Sequence, residues 1–169
     1  MRSRKEKLLQ LLDRSGASLF ALLTRLTLHE DIAEELMQEL FIKLNGAASL
    51  DTVSNWDGYA RKAAINLAFD WRRRNGRKVA PEHLRGRPDR DDGPVGRLIR
   101  TEELQEMLNA VGRLNGVCRE VVVMRYIQEE SYDDIAAKLD RTTHQVRGLC
   151  AKALGQLRDA LVSGRGQSE

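Results

Sequence analysis

All three prolines of this 169-residue chain, Pro81, Pro88 and Pro94, fall inside one short stretch. Proline lacks the amide hydrogen that a helix interior needs, and its ring clashes with the preceding turn. Helices are therefore discouraged there, and proline limits them nowhere else. Gly76, Gly86, Gly93 and Gly96 and many charged side chains share the stretch. Glycine loosens the backbone and charged groups supply no core, so residues 76–96 read as a flexible linker. The linker separates an N-terminal unit, 1–75, from a C-terminal unit, 97–163, with a disordered tail expected over 164–169. At ~100–200 residues per domain, the length allows one domain or two small ones.

Both units read as helical, and the expected fold class is all-α. Apolar residues make up 41% of the chain but aromatics only 5%, so Leu, Ala, Val and Ile must fill the cores. Leu-rich and Ala-rich segments favour helix over strand. Helices are expected over 4–14, 16–28, 30–44 and 55–75, with a loop at 45–55. Leu19, Leu22, Leu23 and Leu26 follow the spacing of one helical face, as do Ile32, Leu36, Leu40 and Leu44. The C-terminal unit predicts helices over 98–113, 116–128, 131–139 and 142–161, the last two opened by the capping residues Ser131 and Thr142.

The net charge of +3 is small, but it conceals 28 basic and 25 acidic residues. Acidic residues crowd 30–39 and 129–134, and basic ones crowd 72–78 and recur from Arg141 to Lys152. Such segregation suits a polyanion on one face and a basic or apolar protein surface on another. Cys118 and Cys150 lie in helical segments without a CxxC or Cys/His cluster, so neither a disulfide framework nor a zinc site is expected. Gln10, Asp13 and Arg14 interrupt the N-terminal apolar residues, so no signal peptide is expected. No apolar run reaches ~18 residues, so neither is a membrane span. The expectation is a cytoplasmic chain without catalytic groups, cofactor or metal; the pair Glu34/Glu35 has no metal partner nearby.

The C-terminal unit carries the spacing of a helix-turn-helix. That motif needs a small residue where the helices cross, a turn residue tolerant of positive φ, and apolar contacts back from the second helix. Ala136, Asp140 and the set Ile135, Leu139, Val146 and Leu149 supply them. Arg141, Thr142, Thr143, His144, Gln145, Arg147 and Lys152 then surround the outer face of the second helix. Arg141, Arg147 and Lys152 suit phosphates, whereas Thr143, His144 and Gln145 suit base edges in a major groove. Any helical hairpin also presents a solvated polar face; the agreement of small residue, turn and apolar contacts favours DNA binding.

Two N-terminal segments stand out. Glu34, Glu35, Gln38 and Glu39 share an outer helical face, which is either solvated or a protein-docking surface. The run Trp56 to Arg74 sets Trp56 and Trp71 among Arg61, Lys62, Asn66, Arg72, Arg73 and Arg74. Arg61, Lys62 and Asn66 are expected to face out. Aromatics beside basic groups can stack on unpaired bases and hold phosphates, although each tryptophan equally suits a core position.

Together these segments resemble the extracytoplasmic-function (ECF) sigma factors over nearly the whole chain. Glu34-Glu35-Leu36-Met37-Gln38-Glu39-Leu40-Phe41 is similar to the family segment that docks on the clamp coiled coil of RNA polymerase. Trp56-Asp57-Gly58-Tyr59 and Ala64-Ile65-Asn66-Leu67-Ala68-Phe69-Asp70-Trp71-Arg72-Arg73 are similar to the stretch that melts and reads the minus-ten element. The resemblance implies that role for Asn45, Trp56, Arg61, Lys62, Asn66 and Arg72 to Arg74, with the 45–55 loop. Leu114 to Tyr126 and the helix-turn-helix resemble region four, which reads the minus-thirty-five element. Departures are Leu114-Asn115 where Leu-Pro is usual, and Gly148-Leu149 where polar and basic residues are common. The implied partners are core RNA polymerase, promoter DNA and, for many members, an anti-sigma protein. Two other readings stay open: a conventional helix-turn-helix regulator that binds symmetric duplex sites alone, and an adaptor that binds only proteins through its acidic helix.

Overall fold

The computed structural model describes residues 3–47, 52–75 and 93–166. Contacts divide the chain into two compact units, 1–84 and 85–169. Among the described residues all regular structure is helical. The first unit holds α1 (Arg4–Thr27), α2 (Glu30–Gly46) and α3 (Trp56–Asn75), each packed on the other two. The second holds α4 (Gly93–Gly112), α5 (Gly116–Val122), a π-helical segment (Val123–Ile127), α6 (Tyr132–Leu139) and α7 (Thr143–Arg165).

The two helices expected over 4–14 and 16–28 are one. α1 runs unbroken through Gly16, because Leu8, Leu11, Leu19, Leu22, Leu23 and Leu26 form a single buried stripe. A mid-helix glycine costs only about 1 kcal/mol relative to Ala, whereas each buried leucine contributes about 1.5–3 kcal/mol. Ser3 opens α1 with a reciprocal capping box to Glu6. Leu28 ends it in the left-handed conformation at φ 64°, its N–H donating to the Thr24 carbonyl.

Side chains from other helices reach the C-termini of α1 and α2. The Arg72 guanidinium, on α3, donates to the Leu26 carbonyl in the last turn of α1 at 3.3 Å. Arg4 does the same for α2, donating to the Asn45 carbonyl at 2.8 Å. Cations at a helix C-terminus both satisfy orphan carbonyls and oppose the helix dipole. At the start of α3, Asp57 accepts from Arg14 at 2.5 Å and from the Ser15 hydroxyl at 2.7 Å, tying α3 to α1. Burial pushes the Asp57 carboxyl up, but the Ser15 bond and the bond and charge of Arg14 outweigh it and hold the group below 3.8.

In the second unit, α4 begins at Gly93, so 93–96 are helical although they lie in the stretch read as linker. Pro94 stands in the first turn, where its missing N–H would have no intrahelical partner anyway. The rest of that stretch, 76–92, lies outside the described residues. α7 continues to Arg165, beyond the 161 expected and into the supposed tail. The helix expected over 116–128 stops being α-helical at Val122 and winds as a π-turn, with Gln128 N–H donating to the Val123 carbonyl at 3.0 Å. Asn115 caps α5 by accepting from Cys118 N–H at 2.9 Å. Cys118 and Cys150 are free thiols, 0% and 1% exposed. No helix among the described residues is long and apolar enough to cross a membrane.

Both tryptophans lie in the first unit, so their fluorescence reports its unfolding alone. Arg72→Met is expected to lower stability by about 1.5–3 kcal/mol, the range for a hydrogen bond involving a charged group. An unchanged urea midpoint of tryptophan fluorescence would show the cap to be idle. The depressed Asp57 pKa makes its contribution present above the unfolded value and lost as pH falls through the folded one. Asp57→Asn therefore lowers the urea midpoint at pH 7, and the gap to wild type closes in acid below the ordinary carboxylate range. A gap that stays constant with pH would contradict the tie.

Candidate nucleic-acid interface

The turn between α6 and α7 is built on a small core: Val121, Met124, Ile135, Ala136, Val146 and Cys150 are buried together, with Tyr132, Leu139 and Leu149 packed against them. Ala136 is the small residue at the crossing, 5% exposed. Asp140 caps α6 in the left-handed conformation at φ 52°, and the following N–H, of Arg141, returns to the Ala136 carbonyl at 3.0 Å. The Ser131 hydroxyl accepts from Asp134 N–H at 3.1 Å, so both ends of the short helix α6 are closed. Every element inferred from the Ala136–Asp140–Val146 spacing is in place.

The outer face of α7 is partly occupied by the protein itself. Thr142 and Gln145 form a reciprocal capping box, each side chain accepting from the other's backbone N–H at 3.1 and 2.9 Å. The Thr143 hydroxyl donates to Asp133 on α6 at 2.8 Å. These three side chains orient the helix start before they could touch a base. Arg141, His144 and Lys152 are exposed. Arg147, also exposed, lies over the Tyr132 ring, 5.0 Å from its centre. Gly148 has open space around a notional Cβ, so α7 passes through it without need of a glycine.

Cys150 joins α7 to its neighbours: its thiol donates to the Tyr126 oxygen at 3.8 Å and accepts from the Tyr132 hydroxyl at 4.0 Å. The Cys150 bond, with burial and nearby charge, pushes the Tyr126 phenol up to about 12, so it stays protonated.

On the first unit, Glu34, Glu35, Gln38 and Glu39 are exposed along α2, opposite the buried Ala33, Leu36, Leu40 and Leu44. Ile42 continues the same outer face and is 73% exposed, an apolar side chain that the sequence reading passed over. Its signal was positional: Ile42 lies off the stripe that the four buried residues define.

On α3, two expectations are corrected. Arg61, expected to face out, and Arg72, expected among the minus-ten contacts, are both buried, 8% and 5% exposed. Arg72 is drawn in as the α1 cap, and burial lowers its pKa to about 10, which leaves it charged at neutral pH. Lys62, Arg73 and Arg74 are exposed and Asn66 is half-buried. Lys62, Asn66 and Arg73 fall on one helical stripe. Arg73 is ion-paired to Asp70, and the Arg74 guanidinium donates to the Asp70 carbonyl at 3.4 Å. Trp71 is core, with His29 edge-on at 6.2 Å. Trp56 is half-buried, with the Lys7 ammonium 5.9 Å from its ring centre. Asn45 is exposed at the end of α2, and residues 48–51 of the adjoining loop lie outside the described residues.

Comparison with known proteins gives matches for both units. Residues 11–78 match the family described as Sigma-70 region 2, and residues 104–157 match Sigma-70, region 4. The ECF RNA polymerase sigma factor SigE of Mycolicibacterium smegmatis is 29% identical over 155 residues, which cover 90% of this chain. The chain spans 60% of the length of that relative. Among solved structures, the sigma factor RpoE in complex with the anti-sigma factor NepR from Bartonella quintana is 23% identical, with a TM-score of 0.47 over 90% of this chain and 94% of that one. CnrH, in complex with the cytosolic domain of CnrY, is 20% identical, with a TM-score of 0.49 over 92% and 88%.

Asp140 is one of three non-glycine residues at positive φ among those described. Asp140→Gly is expected to slow amide exchange in α6 and α7, by up to about 1 kcal/mol of local stability. Asp140→Val, which forces a β-branched side chain into the same conformation, is expected to cost about 1–2 kcal/mol. Equal protection in both variants would mean that the turn does not depend on this conformation.

Proposed function

We propose that this chain, whose two units match Sigma-70 region 2 and Sigma-70, region 4, is a sigma factor of the ECF group that directs core RNA polymerase to promoters and helps to melt them at initiation. The observation that carries the reading is the presence, in one chain, of an exposed acidic face on α2 and a complete helix-turn-helix that exposes His144, Arg147 and Lys152. Glu34, Glu35, Gln38 and Glu39 dock on the polymerase. Lys62, Asn66, Arg73 and Arg74, with Asn45 and its loop, hold the unpaired minus-ten strand. Trp56 shapes that surface from its half-buried position. Arg61 and Arg72 support α3 from inside instead of touching DNA.

Melting needs compensation, because unstacking a base costs a few kcal/mol. Binding of the opened strand offsets that cost only while the chain is held at the promoter. The second unit supplies the hold, with α7 in the major groove of the minus-thirty-five element and Arg141 and Lys152 on phosphates. Joining two weak DNA modules on the polymerase raises their effective concentration, so the free chain binds promoters poorly. The stretch ahead of α4, 76–92, is the linker of this reading and passes through the polymerase near its RNA path. Bond making belongs to the polymerase, the chain works in the cytoplasm beside it, and an anti-sigma protein is the third partner class of this reading.

Run-off transcription with purified core polymerase and a genomic fragment library is expected to give discrete new transcripts when the chain is added. Asn66→Ala should reduce them about tenfold, the scale of one lost base contact, and Arg147→Ala with Lys152→Ala should abolish most. Absence of new transcripts, with tight duplex binding by the chain alone, would replace this reading with that of a conventional regulator.

A further inference from the structure

The two helices of the helix-turn-helix are tied by an exposed hydrogen bond in which the Thr143 hydroxyl donates to the Asp133 carboxylate at 2.8 Å. Asp133 lies in the first turn of α6, and Thr143 opens α7. A threonine hydroxyl has one hydrogen and two lone pairs, and a carboxylate has acceptors only. With its hydrogen committed to Asp133, Thr143 has only lone pairs left to offer a ligand. Asp133 is exposed and Thr143 is half-buried, so the pair stays open to one. Together they form a surface that accepts hydrogen bonds, donates none and carries a negative charge. An amide in place of the carboxylate would tie the helices equally well; the carboxylate adds repulsion of any acceptor brought against it. The side-chain oxygen of Gln145, which a bidentate adenine contact would need, is turned back to Thr142 N–H at 2.9 Å.

In the major groove cytosine and adenine present an exocyclic amino donor, whereas guanine and thymine present a carbonyl acceptor. The first residues of a recognition helix are those that meet base edges. We infer that Thr143, polarised by Asp133, selects an amino base, cytosine or adenine, at the position nearest the start of α7 and excludes guanine and thymine there. The inference rests on the reading of α7 as a recognition helix and deepens it. Thr143 is the contact residue, and Asp133 is the positioning residue that sets its polarity from the other helix.

The test selects bound duplexes from a randomised library, with the full chain on core polymerase in one arm and the full chain alone at low salt in the other. The wild-type motif is expected to hold one position at which amino bases outnumber guanine and thymine by about tenfold, the scale of one mismatched base pair. Asp133→Asn keeps a hydrogen-bonded pair but supplies a donor whichever way its amide settles. Either the amide nitrogen stays open to the groove, or it donates to Thr143 and releases the hydroxyl hydrogen. The variant is expected to lose the preference at that position or turn it toward guanine and thymine, with the rest of the motif unchanged. Thr143→Ser, which keeps the hydroxyl, should select as wild type does, and Thr143→Val should lose most of the preference. If Asp133 only tied α6 to α7, Asp133→Asn would leave the preference as it was, and that result overturns the inference. So does a motif without such a position, or the absence of any motif in both arms. Run-off transcription decides the sigma reading separately: a motif selected by the chain alone, without polymerase-dependent transcripts, keeps the base reader and removes the sigma factor.

Discussion

The corner between α1 and α2 holds the first unit together through a few capping hydrogen bonds. α1 ends on Leu28, a bulky residue held at φ 64° and only 2% exposed. Such a conformation survives only where its surroundings enforce it. Leu28 N–H returns to Thr24, the buried Thr27 hydroxyl donates to Leu23 and accepts from His29 N–H, and Arg72 reaches from α3 to the Leu26 carbonyl. The corner directs α2 back along α1 and at the same time fixes the C-terminal half of α3. The acidic face of α2 and the basic stripe of α3 are therefore positioned by the same few hydrogen bonds.

Among the described residues no sheet exists to absorb unpaired backbone groups, and many helix ends are closed by a side chain or a turn. Ser3, Asn55, Asn115, Ser131 and Thr142 accept from the first turns of their helices. Arg4 and Arg72 donate to the last turns of others. This explains why residues of one chemical kind divide in role. Arg72 and Arg73 are neighbours, yet one is a buried cap and the other an exposed cation paired to Asp70. Thr142 and Gln145 carry groups suited to base edges, yet they are engaged in holding the helix start.

Much of the site was legible in the sequence where the signal was local. The spacing Ala136–Asp140–Val146 identified the crossing, the turn and the apolar contact, because a short turn leaves few ways to place two helices. The alternation of Leu36, Leu40 and Leu44 with Glu35, Gln38 and Glu39 identified the exposed face of α2. What was not legible depended on partners far apart in sequence. Arg72 meets the Leu26 carbonyl across 46 residues, and Asp57 meets Ser15 across 42.

The sequence by itself determined the helical class and the register of the helix-turn-helix. Each of these rests on residues adjacent along the chain or one or two helical turns apart, where backbone geometry alone fixes their relation. The tertiary structure decided that α1 is continuous across Gly16, because a stripe of buried leucines outweighs one glycine. It decided which arginines are buried and which stay exposed, because a guanidinium goes to whichever orphan carbonyl or aromatic face the fold brings within reach. That choice belongs to no single residue, since composition and periodicity are the same for a capping arginine and a DNA-binding one.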